Sequence, residues 1–181
     1  MLKDVERYGR NEFGTMALYA RKMIEIGAPF VFVPWPGWDM HGNITEGCKN
    51  VLPKVDALLS SLLDDLDARG LLETTIVTML GEMGRNKIHK DSAYSGPPGR
   101  DHWGTTQFVI VAGGGFKQGM VLGKTDKTSL RVTDNYYSPI SFGRTLYHLL
   151  GIDPDKELYT TTNQPLKISI DNAPIIKEII A

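Results

Sequence analysis

The sequence predicts one α/β domain built on a mostly parallel sheet, and three patterns lead to that prediction. Amphipathic stretches at helical spacing cover residues 13–26 and 51–66. Short apolar runs, typical of buried strands, cover residues 29–34, 74–80 and 107–112. Helix and strand alternate along the first part of the chain, as they do where crossover helices connect parallel strands.

The first helix is predicted over residues 13–26, where Met16 and Ala20 belong to an apolar stripe. Gly27 suits the C-terminal end of that helix. Residues 29–34 then form an apolar run between two prolines, which predicts a buried strand.

The second helix carries the strongest periodicity in the chain. Thr45 is the predicted N-cap, with Glu46 near the positive end of the helix, and Gly70 ends it. Its apolar stripe consists of Val51, Leu52, Val55, Leu58, Leu59, Leu62, Leu63 and Leu66.

Residues 81–106 have no helical period and are rich in Gly, Pro, Ser, Asn and charged residues, which predicts a long functional or disordered loop. Because no crossover helix precedes residues 107–112, this third strand is predicted to run antiparallel to the second. Farther along, the sequence predicts a turn at 113–115, a short strand at 120–123, a helix at 138–150, and a strand with a short helix within 165–181.

Composition restricts the classes of function. The net charge is −1 and no run of Lys and Arg suggests a nucleic-acid partner. No apolar run is long enough to span a bilayer, and the first residues do not resemble a signal peptide, so a cytoplasmic chain is expected. Cys48 is the only cysteine, which excludes an intrachain disulfide and a cysteine-rich zinc site.

Candidate metal ligands follow the predicted strands. Asp39 and His41 lie just beyond the first strand and Glu82 lies just beyond the second, while Asp101 and His102 end the long loop. Since ligands bind at the carboxyl ends of strands in open α/β sheets, these residues are expected at one edge. Carboxylate and imidazole groups together suit Zn²⁺, Mn²⁺ or Fe²⁺ better than Mg²⁺ or Ca²⁺.

Two arginines flank these candidate ligands. Arg85 and Arg100 carry guanidinium groups, which match the oxygens of phosphate or sulfate. They are therefore candidate catalytic residues for a small anionic ester substrate.

Ordinary structural roles remain open for the same residues. Asp39 and His41 could belong to a turn, Glu82 to a solvated loop, and His102 to a packed, hydrogen-bonded pair. Structural roles are favoured for three further residues, namely His89, His148 and Cys48.

Several motifs, taken in order, resemble the C-terminal half of the bacterial domain-of-unknown-function family 1501. They are Arg7-Tyr8-Gly9-Arg10, Gly37-Trp38-Asp39-Met40-His41-Gly42-Asn43, Gly81-Glu82-Met83-Gly84-Arg85, Gly99-Arg100-Asp101-His102-Trp103 and Tyr147-His148-Leu149-Leu150-Gly151-Ile152-Asp153-Pro154. The resemblance implies an alkaline phosphatase-like, three-layer α/β/α fold of the alkaline phosphatase/sulfatase superfamily, with a mostly parallel sheet that lacks its N-terminal portion. It also implies that relatives of full length carry a twin-arginine signal for export to the periplasm and, in that missing portion, a Ser or Thr nucleophile.

The resemblance also implies roles for individual residues. Asp39, His41 and His102 would hold one divalent ion, with Zn or Mn favoured, and Glu82 would hold a second ion. Asp101 would be a ligand or would orient a histidine, and Arg85 would contact an oxygen of the substrate.

These observations lead to three hypotheses. The first is a metal-dependent hydrolase domain that cleaves a phosphate or sulfate ester with a nucleophile outside this chain. The alternative is a truncated, non-catalytic domain that serves as a metal-binding or assembly module, and the third is a one-metal hydrolase that uses metal-bound water. The missing N-terminal half or a homo-oligomer is expected to cover the open sheet.

Overall fold

The computed structural model describes residues 2–89, 96–170 and 172–181, and the side chains of Leu2, Lys3 and His89 lie outside that description. The helices are α1 (Leu2–Tyr8), α2 (Glu12–Glu25), α3 (Ile44–Ala68) and α4 (Pro139–Leu149), with a 3-10 helix at Lys177–Ile179. The strands are β1 (Ile76–Leu80), β2 (Gly84–His89), β3 (Gly99–Trp103), β4 (Val109–Gly113), β5 (Lys124–Thr125), β6 (Val132–Asp134), β7 (Glu157–Tyr159) and β8 (Pro165–Lys167).

The predicted helices at 13–26, 51–66 and 138–150 are confirmed as α2, α3 and α4. The predicted N-cap of α3 is wrong, because the helix begins at Ile44, one residue before Thr45. Asn43 takes the cap position with φ 52° and ψ 34°, a left-handed conformation that asparagine tolerates better than most residues.

Helices α1, α2 and α3 pack against one another around a buried carboxylate. Asp65 of α3 is 1% exposed; it accepts hydrogen bonds from the Tyr8 hydroxyl at 3.0 Å and from Arg69 Nε at 3.0 Å. Arg21 Nε lies 2.9 Å from the same carboxylate. Burial by itself would raise the pKa of Asp65, but these hydrogen bonds and the charge of Arg21 hold the pKa below its ordinary value.

The described strands form four sheets, and each sheet is a pair of antiparallel strands. The pairs are β1–β4, β2–β3, β5–β6 and β7–β8. The prediction of an alkaline phosphatase-like, three-layer fold with a mostly parallel sheet is therefore wrong for the part of the chain described.

The connection between β1 and β4 is one reason why the predicted parallel sheet is not formed. The chain leaves β1, forms the β2–β3 pair and returns without a helix, so β4 runs back along β1 with Val77 opposite Ala112. The predicted antiparallel relation of these two strands is confirmed. A parallel pair would need a crossover connection, and helices α2 and α3 instead pack on each other and on α1.

The strand predicted at residues 29–34 is not formed in the structure. Its side chains alternate as in a strand, with Phe30 and Phe32 respectively 79% and 75% exposed. No described strand pairs with this segment. Pro29 and Pro34 supply no backbone N–H for a ladder, so the segment stays extended and unpaired.

The prediction of an irregular loop over residues 81–106 is wrong where the structure forms strands β2 and β3. Strands β2 and β3 pair with Gly84 opposite Trp103 and Arg85 opposite His102, and the register shifts beyond Arg85. Their sequences contain more charged and polar than apolar residues, which hid them from a search for apolar runs. Residues 90–95 of that loop lie outside the described part of the chain.

The remaining elements follow the predictions in part, since the short strands β5, β6 and β7 were not predicted. Residues 120–123 do not form the predicted strand, and β5 begins directly after them. The tail holds a strand, β8, and a short 3-10 helix, as predicted. Ser138 is the N-cap of α4, and its side chain accepts a hydrogen bond from Ser141 N at 3.1 Å.

The molecule has an unusually large surface for its mass. Its accessible area is 12425 Å². A compact monomer of 20.1 kDa would expose about 8,700 Å². Apolar side chains such as Phe30, Leu80 and Phe108 contribute to this surface. None of the helices within the described ranges has the length and apolarity required to cross a membrane.

Candidate metal centre

The segment that carries Asp39 and His41 is attached directly to the beginning of β3. Gly42 forms an isolated antiparallel bridge with Pro98. Asn43 N donates a hydrogen bond to the Pro97 carbonyl at 2.8 Å, and Arg100 N donates one to the Met40 carbonyl at 3.2 Å. These backbone contacts bring residues 39–41 beside residues 101–102 without a common parallel sheet.

Gly99 allows the two segments to approach this closely. A Cβ atom at this position would lie 1.9 Å from the His41 carbonyl oxygen and 2.4 Å from Gly42 N. Gly99 is also buried. A glycine is therefore required by the close approach of the two backbones rather than by its own dihedral angles.

Three side chains meet at this junction. Asp39 Oδ1 lies 2.8 Å from His41 Nδ1 and 2.9 Å from His102 Nε2. The two imidazole rings have centroids 4.8 Å apart and are inclined by 49°. Each of Asp39, His41 and His102 offers one potential ligand atom, and these atoms all lie within 4.8 Å of one another. These three residues form the triad.

The triad fits a divalent ion by its donor chemistry and spacing. Zinc is bound at about 2.0–2.1 Å by imidazole nitrogen, which places neighbouring ligands of a tetrahedral ion about 3.3 Å apart. The two carboxylate–imidazole distances are a few tenths of an ångström shorter, so small side-chain rotations would admit an ion. Three protein ligands with an open fourth position are typical of catalytic zinc sites, and two histidines with one carboxylate also suit iron.

The electrostatics of the triad favour an ionised carboxylate. The hydrogen bond with His102 is the largest cause of a lowered pKa at Asp39, followed by the hydrogen bond from Arg85 and the charges of His41 and His102. Asp39 is solvent-exposed, with 65% of its side chain accessible. An ionised and accessible carboxylate is in the form that binds a cation.

Arg85 connects the two segments that carry the triad. Its Nη1 donates to Asp39 Oδ1 at 3.2 Å and to the Arg100 carbonyl at 3.1 Å, and its Nη2 donates to the Trp38 carbonyl. Arg100 in turn donates to the carbonyls of Asn86 and Arg85. Of the two predicted catalytic arginines, Arg85 thus contacts the triad, whereas the contacts described for the Arg100 guanidinium are with the carbonyls of Asn86 and Arg85. The sequence analysis missed the backbone carbonyls, since any residue type can supply them.

The other predicted ligands lie at the margin of this arrangement. Asp101 Oδ1 is 3.8 Å from His41 Nε2, which is within the range of an ion pair but longer than a hydrogen bond. Glu82 lies exposed in the bend between β1 and β2 and does not belong to the group of three clustered ligand atoms. Binding of a second ion by Glu82 stays a prediction.

The residues for which structural roles were favoured lie outside the triad. His148 is exposed in the last turn of α4, and Cys48 lies half-buried on α3 with its Sγ 3.9 Å from Met40 Sδ. The prediction for the His89 side chain falls outside the described residues.

Comparison with known proteins places the chain in one family. No curated protein and no solved structure has significant similarity to it. The model of the family described as protein of unknown function (DUF1501) matches residues 3–180, which confirms the family resemblance seen in the motifs. The chain therefore belongs to the DUF1501 family of proteins of unknown function.

Proposed function

We propose that this chain is the metal-binding part of a hydrolase that cleaves a phosphate or sulfate ester. The observation that carries the proposal is the position of Asp39 Oδ1, which lies 2.8 Å from His41 Nδ1 and 2.9 Å from His102 Nε2. Zinc or manganese suits this mixture of one carboxylate and two imidazoles. When bound, the ion supplies Lewis acidity toward an oxygen of the ester.

Residues of the chain itself would hold this centre in place. Arg85 holds the Asp39 carboxylate and the adjacent Trp38 carbonyl against the start of β3. Asp101 lies near His41 Nε2 and would restrict rotation of the ring. Contact of Arg85 and Arg100 with the anion of a substrate remains a prediction, because their described donors point to protein oxygens.

The whole enzyme is proposed to need further polypeptide. The resemblance to a C-terminal half within the alkaline phosphatase/sulfatase superfamily implies that the nucleophile lies elsewhere. The surface of 12425 Å² supports this proposal, because it exceeds the expectation for a compact monomer by about 3,700 Å². An excess of this size is comparable with the area buried in obligate interfaces.

The same surface supports a second candidate function. A non-catalytic module that binds one metal and assembles with a partner would also expose an apolar area such as that around Phe30 and Phe32. The two candidates share the triad and differ in whether ester hydrolysis accompanies metal binding.

Metal analysis of the purified chain tests the shared part of the proposal. The wild type is expected to retain about one Zn or Mn ion per chain and to lose thermal stability on chelation, because a folded site binds metal better than an unfolded chain. Asp39→Ala with His102→Ala should remove the ion. Asp67→Ala with His148→Ala is the matched control, since both residues are exposed and lie outside the triad. Equal metal content in the two double variants would refute the site.

Hydrolysis is tested separately with phosphate and sulfate esters. Metal-dependent turnover that disappears in the variant without Asp39 and His102 favours the hydrolase. Metal binding without turnover, both alone and with the N-terminal region of a longer relative added, favours the module.

A further inference from the structure

An open groove runs along the first half of α3, and two of the residues that line it, Ile44 and Arg100, lie three positions after His41 and two positions before His102. Ile44, Cys48 and Leu52 form one wall, at the i, i+4 and i+8 positions of the helix, and Ile88 of β2 and Arg100 of β3 form part of the other. Its volume is about 610 Å³, within the range of small-molecule sites. Asp56 lies at the far end, about 18 Å from Ile44 along the helix axis by the rise per residue.

The near end of the groove is continuous with the residues that hold the triad. Ile44 follows His41 by three positions, and its backbone N–H donates to the Pro98 carbonyl at 3.3 Å. Arg100 lines the groove while its own carbonyl accepts a hydrogen bond from Arg85, the residue that also contacts Asp39. A molecule with one end at the triad would therefore enter this groove with its other end.

The groove is lined by both charged and apolar residues, as expected for a site that binds an ester with an anionic end and an apolar end. Cationic side chains, Lys49 and Arg100, contribute to the lining, whereas Asp56, the acidic residue among the described lining residues, is at the end remote from Ile44. Lys49 pairs with Glu46 at 2.8 Å, but this exposed pair is weak enough to exchange for a ligand. The side chains of Ile44, Leu52 and Ile88, which also line the groove, offer only apolar surface to a ligand.

We infer that the groove binds the alcohol part of the ester and that this part is apolar, an alkyl or aryl group rather than a sugar or glycerol. The inference rests on the proposed function, because it assumes that the anion of the ester lies at the triad. An apolar group gains by leaving water for this lining. A polyhydroxylated group would lose hydrogen bonds to water there, because apolar side chains replace none of them.

Cys48 makes the test specific, because it is the only cysteine of the chain and lies in the groove wall. The rate of its alkylation by iodoacetamide is measured on the intact chain with octyl phosphate, glycerol phosphate and 1-octanol at equal concentrations. Octyl phosphate at ten times its dissociation constant should slow alkylation about tenfold by simple occupancy. Glycerol phosphate and 1-octanol should protect much less, because each lacks one of the two features that the site recognises.

Leu52→Ala should weaken the protection by octyl phosphate about tenfold in ligand concentration, the loss expected for one partly buried leucine contact. Leu150→Ala is the control, since Leu52 and Leu150 are 50% and 58% exposed and Leu150 does not line the groove. Equal protection by glycerol phosphate and octyl phosphate, or no protection by either, would overturn the inference. Equal protection by 1-octanol would overturn the link to an anion.

The metal content of the same samples separates this inference from the proposed function. Bound metal without protection by octyl phosphate would refute the groove and retain the metal centre. Protection without bound metal, unchanged by Asp39→Ala, would refute the metal centre and retain an apolar ligand site.

Discussion

Replacement of Gly99 by alanine is expected to damage the fold and the metal centre together. The new Cβ would lie 1.9 Å from the His41 carbonyl oxygen, whereas side-chain Cβ atoms almost never come closer than 3.0 Å to a neighbour. The two segments must therefore separate by about 1.1 Å, and overpacking of this kind typically costs about 1–3 kcal/mol.

This separation would also affect the hydrogen bonds across the junction. The bond from Asn43 N to the Pro97 carbonyl, now 2.8 Å, and the bond from Arg100 N to the Met40 carbonyl, now 3.2 Å, would both exceed hydrogen-bonding range. With about 1 kcal/mol for each bond, the total loss of unfolding free energy is about 3–5 kcal/mol, and partial relaxation would reduce it. Metal affinity should fall about tenfold to hundredfold, as it does when groups that support metal ligands are disturbed.

Urea unfolding of the metal-free chain measures the first quantity, and a metal titration measures the second. Gly104→Ala is the matched control, because no atom lies within 4 Å of its expected Cβ and its φ lies outside the left-handed region. Stability and metal affinity of Gly99→Ala within about 0.5 kcal/mol of this control would refute the close-approach argument, since surface substitutions vary by that amount.

Three further substitutions test packing and helix capping elsewhere in the chain. Asp65→Asn should cost about 1–3 kcal/mol because it removes the buried charge that Arg21 contacts, although Glu25 and Asp4 still pair with Arg21. Asp64→Asn at an exposed position of α3 should change little, and urea unfolding measures both. The folded pKa of Asp65 is lowered, so its contribution to stability is complete above the unfolded value of 3.8 and declines as the pH falls through the folded pKa. The difference in unfolding free energy between wild type and Asp65→Asn should therefore shrink in acid titrations monitored by circular dichroism. Thr145→Val should cost about 1–3 kcal/mol in thermal or urea unfolding, because the Thr145 hydroxyl accepts the Ile176 N–H at 2.9 Å in a buried site. Ser138→Ala should cost about 1 kcal/mol by loss of the α4 N-cap, and an unchanged melting temperature would contradict the capping role.

Helices could be predicted from the sequence because their pattern is local, whereas the pairing of strands could not. The stripe of α3 and the periodicity of α2 identify helices, because each helix satisfies its own backbone. A strand needs a neighbour, and the apolar run at 29–34 has the alternation of a strand but no partner among the described residues. The β2–β3 pair shows the converse, since it forms although its polar sequence lacks an apolar run.

The candidate site was easier to predict than the sheet, for a physical reason. The expectation that Asp39, His41, Glu82, Asp101 and His102 converge depended on strand ends that meet at one edge of a sheet. The structure clusters ligand atoms of three of them, Asp39, His41 and His102, and it does so by a different route, through direct backbone contacts of residues 40–43 with residues 97–100. Residue types suited to a metal were visible in the motifs, but the need for Gly99 follows only from the distance between two backbones.

The way in which the triad assembles determines whether an additional polypeptide is needed to form it. The contacts that align Asp39 with His102 are local to two segments, and Arg85 adds a third connection between them. Covering the exposed apolar surface around Phe30 would therefore stabilise the domain without being required to create the triad. The chain alone should accordingly bind metal even if hydrolysis needs another polypeptide, and a chain that binds metal only after that polypeptide is added would show that the local contacts are insufficient.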